Sequence, residues 1–205
     1  MITAHNRLRA RRLRIEEGKG NEGFTLIELL VVLLIIGILL AIAIPTFLSV
    51  TKTANNTAAQ SNLQTALTGA KTYFEAANQT YVGINGGTTT ASPITQIDTG
   101  LQYVTGTSAS SASNVVSLYV TQSGTAAGAD IVLASWSAGT KICWAIEDNT
   151  AVGPSGATWT WTSAPGPTTV GTFYGQLGGI AQTACVAKTV AIVTTGTSSN
   201  GFSGT

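Results

Sequence analysis

The stretch GFTLIELLVVLLIIGILLAIAIP, residues 23–45, decides the architecture of this chain. From Leu29 to Ile44 it runs for sixteen residues without one polar side chain, and no charge is met between Glu28 and Lys52. About 20 apolar residues span the hydrocarbon core of a bilayer as an α-helix, so membrane insertion is the physical expectation. The flanks orient the segment. Arg7, Arg9, Arg11, Arg12, Arg14 and Lys19 precede it, whereas on the other side only Lys52 lies close. A basic flank stays in the cytoplasm, which sends everything after about residue 50 outward.

Composition agrees with an exported protein. Only 9% of the 205 residues are charged, against about 25% in an ordinary globular domain. Residues 1–23 hold six basic and three acidic groups, and residues 24–205 hold four basic and six acidic. Polarity comes instead from 49 Ser and Thr hydroxyls. Such a surface offers little to hold nucleic acid by phosphate neutralisation. His5, the only histidine, lies in the basic leader, so no Ser-His-Asp triad or histidine metal site can form beyond residue 23. Gly175–Gly179 fits neither phosphate-loop pattern. No cofactor is implied, and an anchored or secreted enzyme lacks a catalytic constellation here.

Three readings of the apolar run compete. Ala41-Ile42-Ala43 offers a small-x-small cleavage site for an ordinary signal peptide, although sixteen residues exceed the usual apolar core of about 7–15. A plain signal anchor is the second. The third rests on Gly23-Phe24-Thr25-Leu26-Ile27-Glu28 directly before the run. Joined to the apolar residues 29–45, this hexad resembles the N-terminus of type IV pilins and the closely related pseudopilins. The resemblance implies that a prepilin peptidase cuts between Gly23 and Phe24 and that Phe24 becomes the N-methylated first residue. It matches Glu28 to the family's acidic assembly residue, and Gly37 and Pro45 to its helix-softening positions. It further implies a structural subunit of a type IV pilus-like surface filament. The partners would be other copies of the chain, the peptidase, the membrane assembly machinery, and lipid before assembly. A pseudopilin of a type II secretion or DNA-uptake system is the alternative, sharing the same signature.

Local chemistry gives these residues plainer roles as well. Thr25-Leu26-Ile27-Glu28 is a capping box, with an acidic residue in the first turn where the helix dipole favours it. In the assembly role, Glu28 pairs with the amine of Phe24 on a neighbouring subunit, because a charge buried without a partner is penalised. Gly23 is either a turn glycine or the bare backbone that a protease site needs. Gly37 and Pro45 weaken a helix, by entropy and by loss of a donor. Such breakers are tolerated in membrane helices when neighbouring groups satisfy the backbone. Gly37 and Ala41 also form a small-xxx-small pair that permits close helix contact.

Apolar residues continue at Phe47, Val50, Ala54, Ala58, Leu63, Ala66, Leu67, Ala70, Phe74 and Ala77, mostly three or four apart, which predicts helix to about residue 78. Its length would be roughly 80 Å, too long for a domain of this size to bury. Half must find lipid or other copies of the chain. Short strands are expected next: Leu101–Val104, Val115–Thr121, and a hairpin of Ile131–Ser137 with Lys141–Glu147. Thr107–Asn114 reads as a loop and Asn85-Gly86-Gly87 as a turn. Thr158–Thr162 alternates, Pro- and Gly-rich turns run through Gly171, and Cys185–Val193 is a candidate last strand. The expected class is α+β, a long N-terminal helix packed on a C-terminal antiparallel sheet. The domains are a leader (1–23, removed), an apolar helix (24–50), an exported head (51–193) and a loose tail (194–205).

Cys143 and Cys185 are the only cysteines. Both fall on the exported, oxidising side, where an even pair reads as one disulfide; two buried thiols are the alternative. In the strand pattern Cys143 faces away from Ile142 and Trp144, so a bond to Cys185 would tack a C-terminal segment over the outer face of the sheet. Glu147-Asp148-Asn149 has oxygens for Ca²⁺, but reads better as an acidic turn at a strand end. Trp144 is expected in the core.

Overall fold

A computed structural model describes residues 23–84, 92–120, 127–150, 160–161, 164–165 and 170–189. The leader before Gly23, the Asn85-Gly86-Gly87 turn and the 194–205 tail lie outside the described residues. One long helix, α1 (Leu26–Ala76), is succeeded by a five-residue helix, α2 (Pro93–Ile97). Among the described residues seven strands come next: β1 (Gln102–Thr105), β2 (Val115–Val120), β3 (Asp130–Ser137), β4 (Ile142–Asn149), β5 (Thr160–Trp161), β6 (Ala164–Pro165) and β7 (Gly171–Gly178). The chain divides into two compact units, Met1–Phe47 and Leu48–Thr205.

The first unit is the apolar half of α1, with every residue from 23 to 47 exposed. Many of its side chains are β-branched, which favours strand over helix in water. Across hydrocarbon a lone segment satisfies its own backbone only as a helix, and this one is long and apolar enough to cross a membrane. Pro45 sits inside α1 without ending it. It has no N–H to give, and the Thr46 hydroxyl next to it donates to the carbonyls of Ile42 and Ala43 at 3.1 and 2.9 Å. The helix ends in a left-handed cap: Asn78 has φ 56°, and the amide of Gln79 donates to the Phe74 carbonyl. This is the six-to-one bond of a Schellman motif.

In the second unit, Ala59, Leu63, Ala66, Leu67 and Ala70 of α1 are buried, repeating at three and four residues. They pack on Val116, Leu118 and Val120 of β2, Ile131 and Leu133 of β3, and Trp144 and Ile146 of β4. Strand alternation puts these side chains on one face. The expected helical stripe thus begins later than its apolar residues: Phe47, Val50 and Ala54 are exposed, and Ala59 is buried instead of Ala58. Strand order is β1-β2-β3-β4-β7.

All neighbours in that sheet are antiparallel except β1 and β2, which run parallel. The expected antiparallel sheet is present, with this one parallel pair at its edge. Between these strands the chain passes under β2 at Gly106, where a Cβ would lie 2.5 Å from that of Tyr119. Two further expectations change. Gly171–Gly178 is an eight-residue edge strand and not the end of a turn region; its three glycines hid it, since glycine is depleted in strands. Cys185 and the residues after it form no strand as far as residue 189, where the description stops. A 3₁₀ turn at Gln182–Ala184 leads instead into a turn at 187–189.

The segment around Cys185 covers the outer face of the sheet. Val132, Ala134 and Trp136 of β3 and Cys143 and Ala145 of β4 are buried there beneath Cys185 and Ala187. The Cys143–Cys185 disulfide closes a sequence separation of 42 residues. Ser110 stitches the strap down. Its amide donates to the Cys185 carbonyl, its carbonyl accepts from Gln182 Nε2, and its hydroxyl accepts from the Trp136 amide while donating to Val115.

Closing a loop of that length stabilises a fold by about 4 kcal/mol in the chain-entropy model. Cys143→Ser with Cys185→Ser should therefore lose about 3–4 kcal/mol in denaturant unfolding of the detergent-solubilised full chain. Reduction of the wild type should reproduce the loss.

Candidate processing and assembly site

At the start of α1 the backbone is set by reciprocal capping. The Glu28 amide donates to Thr25 Oγ1 at 3.2 Å, and the Thr25 amide donates back to Glu28 Oε2 at 3.3 Å. The Thr25 hydroxyl also donates to Glu28 Oε2 at 3.2 Å. Two amide donors that a helix start leaves open are satisfied. Glu28 thereby sits in the first turn beside the helix N-terminus, where its charge is favoured.

Gly23 and Phe24 stand immediately before this cap, both exposed, with Phe24 85% accessible. A Cβ added to Gly23 would meet nothing within 4 Å, and the same holds at Gly37. Among the described residues, neither glycine is required by the chain's own packing. Gly23, Phe24 and Glu28 are brought together within two turns by sequence alone. Gly37 and Pro45 lie farther along the same helix, which remains continuous through both. Cys143 and Cys185 meet in the head and have no part in this site.

The acidic triplet is corrected. Glu147, Asp148 and Asn149 form the buried end of β4 and not a turn. Alternation sends Asp148 to the helix side and its two neighbours to the other face, so the three cannot converge on one ion. Asp148 accepts hydrogen bonds from Tyr81 (2.7 Å) and Thr172 (2.5 Å) and pairs with Lys71 at 3.1 Å. This cluster ties α1 to β4 and β7. No sequence signal links residues so far apart. Trp144 is in the core as expected, its indole donating to Asn56.

Burial first, then a hydrogen bond to Asp148 and that carboxylate's charge, pushes the Tyr81 phenol well above its usual range; Tyr103 is raised likewise by burial and Asp98. The folded chain therefore holds these protons after the unfolded chain has released them. Their contribution to stability is complete below a pH of about 10 and is lost as pH rises beyond it. Tyr81→Phe with Tyr103→Phe should lower stability at neutral pH but flatten its decline above a pH of about 10, as read from unfolding midpoints across an alkaline series.

Residues 18–44 match the prokaryotic N-terminal methylation motif. Over 54 residues the chain is 48% identical to the type IV major pilin protein PilA of Myxococcus xanthus (strain DK1622). That match covers 26% of this chain and spans about a quarter (24%) of the length of that relative. No solved structure matches the chain.

Proposed function

We propose that this chain, whose N-terminal segment matches the prokaryotic N-terminal methylation motif and is similar to that of a type IV major pilin, is a structural subunit of a type IV pilus-like surface filament. A prepilin peptidase cuts it between Gly23 and Phe24 and methylates the new N-terminus at Phe24. The leader remains cytoplasmic, the apolar half of α1 is held in the membrane, and the head is exported. Assembly machinery then moves the subunit from lipid into a polymer of its own kind.

One observation carries this reading. An exposed Gly-Phe pair stands directly before a capped helix whose residues from 29 to 50 are uncharged and exposed. Leaving that much apolar surface in water costs roughly 25 cal/mol for every Å², so lipid or other copies must cover it. The glycine is not demanded by local packing, and an enzyme that must reach the peptide bond supplies a reason for it.

Glu28 then has two successive tasks. In the precursor its carboxylate caps the helix through Thr25. After cleavage a free amine exists at Phe24, and in a growing filament Glu28 of one subunit pairs with that amine on the next. Burial among apolar helices penalises any register that leaves either charge alone. Gly37 and Pro45 lower the cost of local unwinding as helices crowd together.

Two substitutions test the two halves of the proposal. Gly23→Val should leave full-length precursor in the membrane, read by N-terminal mass spectrometry; a chain beginning at N-methyl-Phe24 would overturn the cleavage assignment. Glu28→Ala should be cleaved normally yet yield few or no surface filaments by electron microscopy. Wild-type filament numbers would reduce Glu28 to a capping residue.

A further inference from the structure

We propose that Lys52 and Lys141 form a contact for the phosphate groups of anionic phospholipids on the outer surface of the membrane. The inference rests on the reading of residues 29–51 as a membrane span. Lys52 is the first charge after that stretch, so a helix crossing the bilayer delivers it to the outer headgroups. Lys141 is 89 positions later in sequence and arrives by folding.

The turn between β3 and β4 lies against α1 at this level. A Cβ built on Gly139 would stand 3.0 Å from the Cα of Lys52 and 2.9 Å from the side-chain nitrogen of Asn55. Thr140 of the same turn donates to Asn56. Glycine is thus needed at 139 for close approach to the helix. The left-handed position of the turn is held by Lys141, with φ 57°, where glycine or asparagine fits more cheaply. The fold accepts backbone strain to place a lysine there.

Both lysines are exposed, and among the described residues neither has an ion-pair partner. They are two of only four lysines after residue 23. An acidic partner within the head would have been the simplest use for them, and Lys71 with Asp148 shows that the head makes such a pair. Two cations that have no ion-pair partner among the described residues, beside the end of a span, match a surface of fixed phosphate charge. Their aliphatic stems can lie along apolar surface while the ammonium groups reach the headgroups. Before assembly, this contact would hold the head down on the membrane by the turn between β3 and β4.

The test uses the full chain in nanodiscs of phosphatidylcholine and phosphatidylglycerol in equal parts, with retained lipid read by native mass spectrometry. The leader, present in every variant, contributes equally. Retained phosphatidylglycerol relative to phosphatidylcholine should fall about fivefold in Lys52→Gln and again in Lys141→Gln, the effect of one basic residue at an anionic surface. Lys141→Gly should lower the same ratio while raising the thermal midpoint, because it removes the charge and the strain together. An unchanged ratio in the double glutamine variant would overturn the proposal. So would lysine-dependent retention of inorganic phosphate in pure phosphatidylcholine, which would mark a free-anion site. An unchanged ratio with lost self-association would assign the pair to a second copy of the chain. Amide exchange of residues 29–50 separates the premises. Fast exchange in the nanodisc overturns the span itself, whereas a protected span with an unchanged ratio overturns only the lipid contact.

Discussion

A backbone in hydrocarbon has no water to bond, so each N–H and C=O must be satisfied by the segment itself. The rest of this structure depends on that constraint. It favours a helix for a run rich in isoleucine and valine, and it gives a use to the side-chain bonds at the helix start, where the ladder is open. At the start, Thr25 and Glu28 satisfy each other's amides. Pro45 removes the ladder bond to the Ala41 carbonyl, and the adjacent Thr46 hydroxyl donates to the neighbouring carbonyls of Ile42 and Ala43. The hydroxyls of Thr51, Thr53, Thr57, Thr65, Thr68 and Thr72 do the same along the remaining helix. A helix made mostly of apolar and hydroxyl side chains in this way presents methyl groups outward and few open donors.

The same helix also serves as the base of the head. Its second half buries a stripe of alanines and leucines on one face of the sheet. The other face is closed by a strap held through a disulfide and the buried Ser110. The head thus has two apolar layers, one covered by a helix and one by an irregular segment. The irregular segment satisfies only part of its own backbone, and Ser110 and Ser117 supply further partners; the Ala187 amide donates to the Ser117 hydroxyl. Low charge and abundant hydroxyls, visible in composition, have this structural use.

Much of this was legible in the residue order because the signals were local. The capping box, the apolar run, and the alternation of Val116, Leu118 and Val120 and of Ile142, Trp144 and Ile146 are all read from neighbouring residues. Cys143 could be assigned to the outer face by the same alternation. What escaped had no local signal. Gly171–Gly178 looks like a turn because its glycines are unfavourable in a strand taken alone, yet eight consecutive pairings with β4 hold it. Cys185 resembles the start of a strand because it precedes Val186 and Val190–Val193, whereas the disulfide and Ser110 fix the residues around it in turns.

The sequence by itself determined where the helix begins and that its first half requires a non-aqueous partner. Each of these comes from neighbouring residues and from the cost of exposing apolar surface or burying charge. Only the tertiary structure decided that Asp148 gathers Lys71, Tyr81 and Thr172 while Glu147 and Asn149 face elsewhere. It alone brought the turn bearing Lys141 against Lys52. Those arrangements depend on strand register and on the approach of distant segments, and a one-residue slip of register would have sent every side chain to the opposite face.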